Sequence, residues 1–180
     1  MLGVCGLQLG EAAELRHRDI DRTHQSLRIA RSATTVGGKI VVAKTKSNTA
    51  RDVPIPTQII EMIPEGAPDA LVFPAPQGGH LRGSNFRTRT FTPAVTKAKL
   101  FPSQGTDENG KPKTVYDLHP HELRHTAASL AIADGANIKK VQTMLGHKRA
   151  SLTLDRYGHL YPSDTSDMAA SMGRMIEGFI

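Results

Sequence analysis

The stretch LHPHELRHTAASLAIADGANIKKVQTMLGHKRASLTLDRYGHL, residues 118–160, decides how the whole chain is read. Pro120 suits a first helical turn, where its missing N–H would have no partner anyway. Leu123, Ala127, Leu130 and Ala131 then fall on one helical face, and Gly135 ends the run. Asn137 can cap a second helix with Ile138, Val141 and Leu145 on its apolar face, stopped by Gly146. Ser151 can cap a third, short helix that reaches Tyr157. Helices in such close succession predict a mainly α domain.

Upstream the pattern changes. Residues 10–16, GEAAELR, are good helix formers, and RDID closes them with turn residues. Three strand-like runs follow: QSLRIARS (25–32), GKIVVAKT (38–45, after a Gly37–Gly38 turn) and ARDVPIP (50–56). Leu27 alternates with Ile29, and Val53 with Ile55, which predicts half-buried strands in a small antiparallel meander. Pro54 and Pro56 push the third run to a sheet edge. TQIIEMI (57–63) reads as a helix ended by PEGAP, and residues 84–100 as a basic helix interrupted at Pro93. Residues 101–114, FPSQGTDENGKPKT, read as a long surface loop. Residues 163–180 read as a tail helix with Met168, Met172, Met175, Ile176 and Phe179 on one stripe. Such a stripe most often packs onto its own domain. The expected fold is therefore α+β: mainly α with a small three-stranded antiparallel sheet, in one domain over residues 1–180.

Composition narrows the function. The chain has 180 residues, a net charge of +6 and eight histidines. That excess favours a polyanionic partner, of which nucleic acid is the usual one. A single cysteine, Cys5, rules out an internal disulfide and fits a reducing cytoplasm. No apolar run is long enough to span a membrane, and no leader pattern opens the chain. Its first residues already lie inside a patterned segment, which reads as a domain cut from a longer protein.

His119, His121, Arg124, His125, His147 and Tyr157 crowd into the opening stretch, and three chemistries compete for them. HELRH matches the zinc motif H-E-x-x-H, with His121 and His125 as ligands and Glu122 as base. No third ligand follows at the expected spacing, and Arg124 would oppose the metal, so no metal is expected. ASLAIADGANIKKVQTMLG reads as a helix-turn-helix with Lys139 and Lys140 ready for phosphates, but leaves the His/Arg/Tyr cluster idle. Phosphoryl transfer without a metal uses all of it. A guanidinium suits the charge that builds on a phosphodiester, a tyrosine can attack it, a histidine can donate to it or take the phenol proton, and a lysine can protonate the leaving oxygen.

These residues also carry a family resemblance. H-x-x-R, then L-G-H, then a tyrosine is the C-terminal pattern of the tyrosine recombinases, the phage-integrase family, and the chain resembles integrases of actinobacteriophage type. The matching positions are His121, Arg124, His147 and Tyr157, with Tyr161 one turn later as fallback nucleophile. TKSNTARDVPIP is similar to the family's lysine-bearing hairpin and puts Lys46 at the catalytic lysine, with Lys44 as competitor. The family's first box reads G-L-R-x-G-E; this chain has GLQLGE, so Gln8 stands at the first catalytic arginine. Glu11 matches that box in a structural, positioning role.

The resemblance, which covers about residues 2–161, implies site-specific cleavage and rejoining of double-stranded DNA attachment sites through a 3′-phosphotyrosine. It implies no cofactor, a homotetramer on DNA, and action in a bacterial host's cytoplasm with a DNA-bending factor and an excisionase as further partners. It also implies that arm-binding and core-binding domains are missing here, and that the tail helix docks on a neighbouring protomer. A Xer-like resolvase would share the chemistry. Arg51, Arg87, Arg89, Lys97, Lys139 and Lys148 are candidates for DNA-backbone contacts. His119, His125 and His159 are expected to be structural. Gln8, neutral and lacking the guanidinium fork, is expected to impair cleavage.

Overall fold

Alternating apolar residues build the sheet that the rest of the molecule packs on. The computed structural model describes residues 1–45, 48–116, 118–161 and 166–177. Two short helices, α1 (Leu2–Cys5) and α2 (Leu9–Glu14), lead into β1 (Ile20–Asp21) and β2 (Ser26–Ile29). The chain then forms β3 (Arg31–Val36), β4 (Lys39–Lys44) and β5 (Arg51–Pro54), followed by helix α3 (Thr57–Glu61). Next come α4 (Gly83–Phe86), a π-turn over Arg87–Phe91, α5 (Thr92–Lys97), and strands β6 (Pro102–Thr106) and β7 (Pro112–Tyr116). The last third is α6 (Glu122–Ala133), α7 (Ile138–Leu145), α8 (Ala150–Tyr157) and α9 (Ser166–Glu177).

The three-stranded antiparallel sheet exists, in the order β1-β2-β5. Leu27 pairs with Val53 in register, and both are fully buried, as their alternation requires. Pro54 lies on an edge strand, where its missing N–H breaks no ladder. The meander itself needs correction. The run QSLRIARS splits after Ile29, and GKIVVAKT pairs with β3 in a separate two-stranded hairpin instead of lying between β2 and β5. That hairpin is largely exposed, because Ile40, Val41 and Val42 are consecutive and cannot all face a core. Its two-residue turn is Gly37–Gly38, both at positive φ (54° and 77°), the backbone that matches strand twist. The hairpin's base is anchored through Arg31, whose Nε donates to buried Glu14 at 3.3 Å and whose Nη2 donates to Asp19 at 2.6 Å.

Three further expectations change. Residues 101–114 are not a loop: they form most of the β6–β7 hairpin, turned by Asp107, whose carboxylate accepts the N–H groups of Asn109 and Lys111 at 2.9 Å. Its strands carry no apolar alternation, so nothing in the pattern marked them. Pro93 does not interrupt its helix; the π-turn just before it widens the coil and absorbs the missing N–H. Ser151 is not a cap, since α8 already begins at Ala150 with Arg149 before it. Asn137 does cap α7, its side chain accepting from Lys140 N at 2.9 Å. Gly135 and Gly146 close their helices at positive φ.

The core gathers Leu7, Leu27, Ile29, Val53, Ile55, Val141 and Leu145, with α1 packed on α6 and α7 on β5. A small second cluster joins Phe91, Val95 and Leu118. The stripe of α9 stays open: Met168, Met172, Met175 and Ile176 are all more than half exposed, and Phe179 lies outside the described residues. No helix among the described residues is long and apolar enough to cross a membrane.

Candidate active site

The C-terminus of α7 organises the site. Its last carbonyls have no helical partners of their own, and two buried arginines supply donors. Arg51 Nε donates to Met144 O at 3.0 Å, and Arg124 Nη2 donates to Leu145 O. Arg124 Nη1 also donates to Gly6 O, which ties the first box to α6. Gly146 then turns the chain at φ 67°, and a Cβ there would lie 2.9 Å from Arg51 Nη1. Only glycine satisfies both demands, which gives the L-G-H sequence a physical reason.

Arg51 was expected at a DNA phosphate, and this is corrected. It is buried, and its fork pairs both oxygens of Glu11 at 2.8 Å. Glu11 also accepts the Gln8 N–H at 2.8 Å, so the carboxylate fixes the start of α2 against β5. This is the positioning role expected of Glu11. Arg124 differs: among the described residues no carboxylate is bonded to it, and three of its five N–H groups lie outside the two carbonyl bonds.

Tyr157 ends α8 and is 4% exposed. Its hydroxyl lies 2.7 Å from His125 Nδ1, and the two rings sit 5.7 Å apart. Burial pushes the Tyr157 phenol up from its ordinary pKa, while Arg124 and Arg156 pull the other way. Burial pushes His125 down, helped by the nearby Arg156, His121 and Arg124. His121, exposed at the head of α6, meets His125 edge to face at 5.2 Å. His147 follows Gly146, with Nδ1 2.9 Å from the fully buried Thr153 hydroxyl, so Nε2 is the nitrogen left for a ligand. Burial lowers the His147 pKa as well, aided by Arg124, Arg156 and Arg51.

Tyr157, Arg124, His121 and His147 therefore converge. Gln8 caps the N-terminus of α2, half-buried and two residues from the Gly6 carbonyl that holds Arg124. Lys46 lies outside the described residues; Lys44 is exposed at the end of β4. Tyr161 packs on the main core with a buried hydroxyl. Arg87, Arg89 and Lys97 are exposed along α4–α5, Lys148 is exposed beside His147, and Lys139 donates to Gln142 Oε1 at 3.1 Å.

Glu122 is spent on the His119 N–H, and among the described residues no three metal-ligating side chains come together. His125, read as structural, faces the Tyr157 hydroxyl. The signal was present in the sequence, since His121 and His125 sit one turn apart on the helix that carries Arg124.

The arrangement can surround an anionic, tetrahedral group with one buried guanidinium and histidine imidazoles, next to a nucleophile type that needs no metal. The phage integrase family model matches residues 1–164. The integrase of Mycobacterium phage D29 is 33% identical over 82% of this chain, and a putative prophage phiRv2 integrase of Mycobacterium tuberculosis is 28% identical over 98%. The chain spans 38% and 45% of those two proteins, less than half of each. Among solved structures, the Tn1549 transposon integrase in complex with transposon right end DNA is similar over 97% of this chain and 56% of its own, with a TM-score of 0.69 at 22% identity. The chain belongs to the phage integrase family.

Proposed function

We propose that the chain is the catalytic domain of a site-specific DNA recombinase that cleaves and rejoins strands through a covalent 3′-phosphotyrosine. The observation that carries this is the Tyr157 hydroxyl held beside α6, which bears Arg124, with His147 delivered by the glycine turn after α7. Tyr157 Oη attacks the phosphate and the 5′ oxygen leaves. Arg124, His121 and His147 Nε2 bind the non-bridging oxygens as charge builds on them. Lys46 protonates the leaving oxygen. Arg87, Arg89, Lys97, Lys139 and Lys148 contact the duplex backbone outside the scissile phosphate.

The substrate is a pair of double-stranded attachment sites held in a homotetramer, in the cytoplasm of a bacterial host. A DNA-bending factor and an excisionase set direction, as for a phage that integrates and excises. Gln8 weakens this copy. Two charge-assisted bonds lost at about 1.5–3 kcal/mol each lower the rate by about 10²–10⁴. DNA binding, which rests on the peripheral cations, is largely kept.

The test uses full-length protein and nicked attachment-site DNA that traps the cleaved product. Gln8→Arg is expected to raise covalent adduct formation by about 10²–10⁴, and adding Tyr157→Phe is expected to abolish it. Cleavage unchanged by Gln8→Arg would overturn the impairment; an adduct that survives Tyr157→Phe would overturn the nucleophile.

A further inference from the structure

We propose that His125 Nδ1 is the base that takes the Tyr157 proton on cleavage and returns it on rejoining. The proposal rests on the reading of Tyr157 as nucleophile and adds a residue to it. Among the described residues, His125 is the hydrogen-bond partner of the Tyr157 hydroxyl, at 2.7 Å, within the range a proton-transfer pair needs. The other histidines are less suited. His147 has its Nδ1 at Thr153, and His121 meets the His125 ring edge to face at 5.2 Å and, among the described residues, makes no hydrogen bond to the Tyr157 hydroxyl.

The direction of the bond follows from the charges. Burial keeps the phenol protonated, and burial together with Arg156, His121 and Arg124 keeps the imidazole neutral. Between two neutral partners the phenol is the stronger acid and the bare ring nitrogen the better acceptor, so the O–H donates to Nδ1. That leaves the ring proton on Nε2. Among the described residues, the groups facing His125 are His121, Arg124 and Glu122 on α6 and Arg156 on α8, with His147 nearby from the α7–α8 turn. Without DNA this surrounding is net positive and opposes protonation. An incoming phosphodiester brings negative charge among the same cations, which raises the basicity of His125 when the proton must move.

The step balances. The Oη–P bond forms as the P–O5′ bond breaks, the phenol proton goes to His125 Nδ1, and the leaving 5′ oxygen takes a proton from the general acid. In rejoining, the 5′ hydroxyl attacks phosphorus, and departing Oη recovers its proton from His125.

Two measurements test it. The first needs no turnover: ¹⁵N spectra of the labelled chain near neutral pH, with the His125 signals identified by their loss in His125→Gln. A ring protonated at Nε2 with Nδ1 accepting is expected; a ring protonated at Nδ1 and donating to Tyr157 overturns the proposal. The second follows adduct formation by full-length Gln8→Arg protein. His125→Ala is expected to lower the rate by about 10²–10⁴, to remove its rise with pH through the imidazole range, and to be partly restored by added imidazole. A 5′-bridging phosphorothiolate, which leaves without a proton, is expected not to restore it, because the defect lies at the nucleophile. A His125→Ala rate and pH profile like those of the parent overturn the proposal but leave Tyr157 standing. An adduct that persists in Tyr157→Phe instead overturns the nucleophile, and this proposal with it.

Discussion

Two halves of the buried centre are built from the same part and differ by one charge. On the α2–β5 side Arg51 reaches a carbonyl at the end of α7 and is neutralised by Glu11. On the α6–α8 side Arg124 reaches the next carbonyl, is bonded to no carboxylate among the described residues, and faces Tyr157, His125 and His147. A paired guanidinium holds elements together; an unpaired one keeps its charge for a ligand. Burial lowers the Arg124 pKa, the expected result of desolvating a cation, and the nearby Glu11 charge only partly offsets it. On the proposed function, the difference leaves Arg51 to structure and makes Arg124 available to a phosphate as well.

Substitutions can break that division. Arg124→Ala is expected to cut adduct formation by about 10²–10⁴, from two lost charge-assisted bonds to phosphate, measured in the cleavage-competent Gln8→Arg background. Glu11→Ala acts on the other half. It leaves Arg51 buried and unpaired and is expected to cost about 3–5 kcal/mol of stability, read from urea unfolding; an unchanged midpoint would dissolve the distinction. Gly146→Ala is expected to cost about 1–2 kcal/mol from its left-handed backbone, and more from the push on Arg51. Equal stability there would mean that the turn has slack.

The pH dependence sharpens the same contrast. His125 and His147 have folded pKa values below the ordinary 6.5, so the unfolded chain binds protons more readily. Their contribution to stability is therefore present above that range and is lost as pH falls through it. Unfolding midpoints are expected to drop on acidification below about pH 6.5, and less so in a His125→Gln, His147→Gln double variant. The smallest effect belongs to the exposed cations. Lys97→Ala is expected to lower the salt dependence of DNA binding by about one released counterion without changing cleavage at saturating DNA.

Legibility in the sequence followed distance along the chain. The caps at Asn137, Gly135 and Gly146 act within a few residues, and they marked α6 and α7 correctly. The alternation around Leu27 and Val53 marked the buried sheet. Tyr157, Arg124, His121 and His147 were singled out by the family resemblance, and Arg124 lies close enough to Tyr157 and His147 to act on both. What escaped depends on long-range partners or on exposed strands. Glu11 and Arg51 lie 40 residues apart, so an arginine that looked available for phosphate is already taken. His125 and Tyr157 lie 32 apart, so a histidine that looked structural faces the Tyr157 hydroxyl. The β6–β7 ribbon buries almost nothing, so no apolar period announced it.

The central claim is that the α6–α8 half makes a covalent bond to DNA through Tyr157. It is tested most directly by trapping full-length Gln8→Arg protein on nicked attachment-site DNA, digesting the adduct and locating the attached nucleotide by mass spectrometry. The account predicts a nucleotide on the peptide containing Tyr157, at that side chain. A nucleotide on Tyr161, or no covalent adduct at all from that protein, would contradict it.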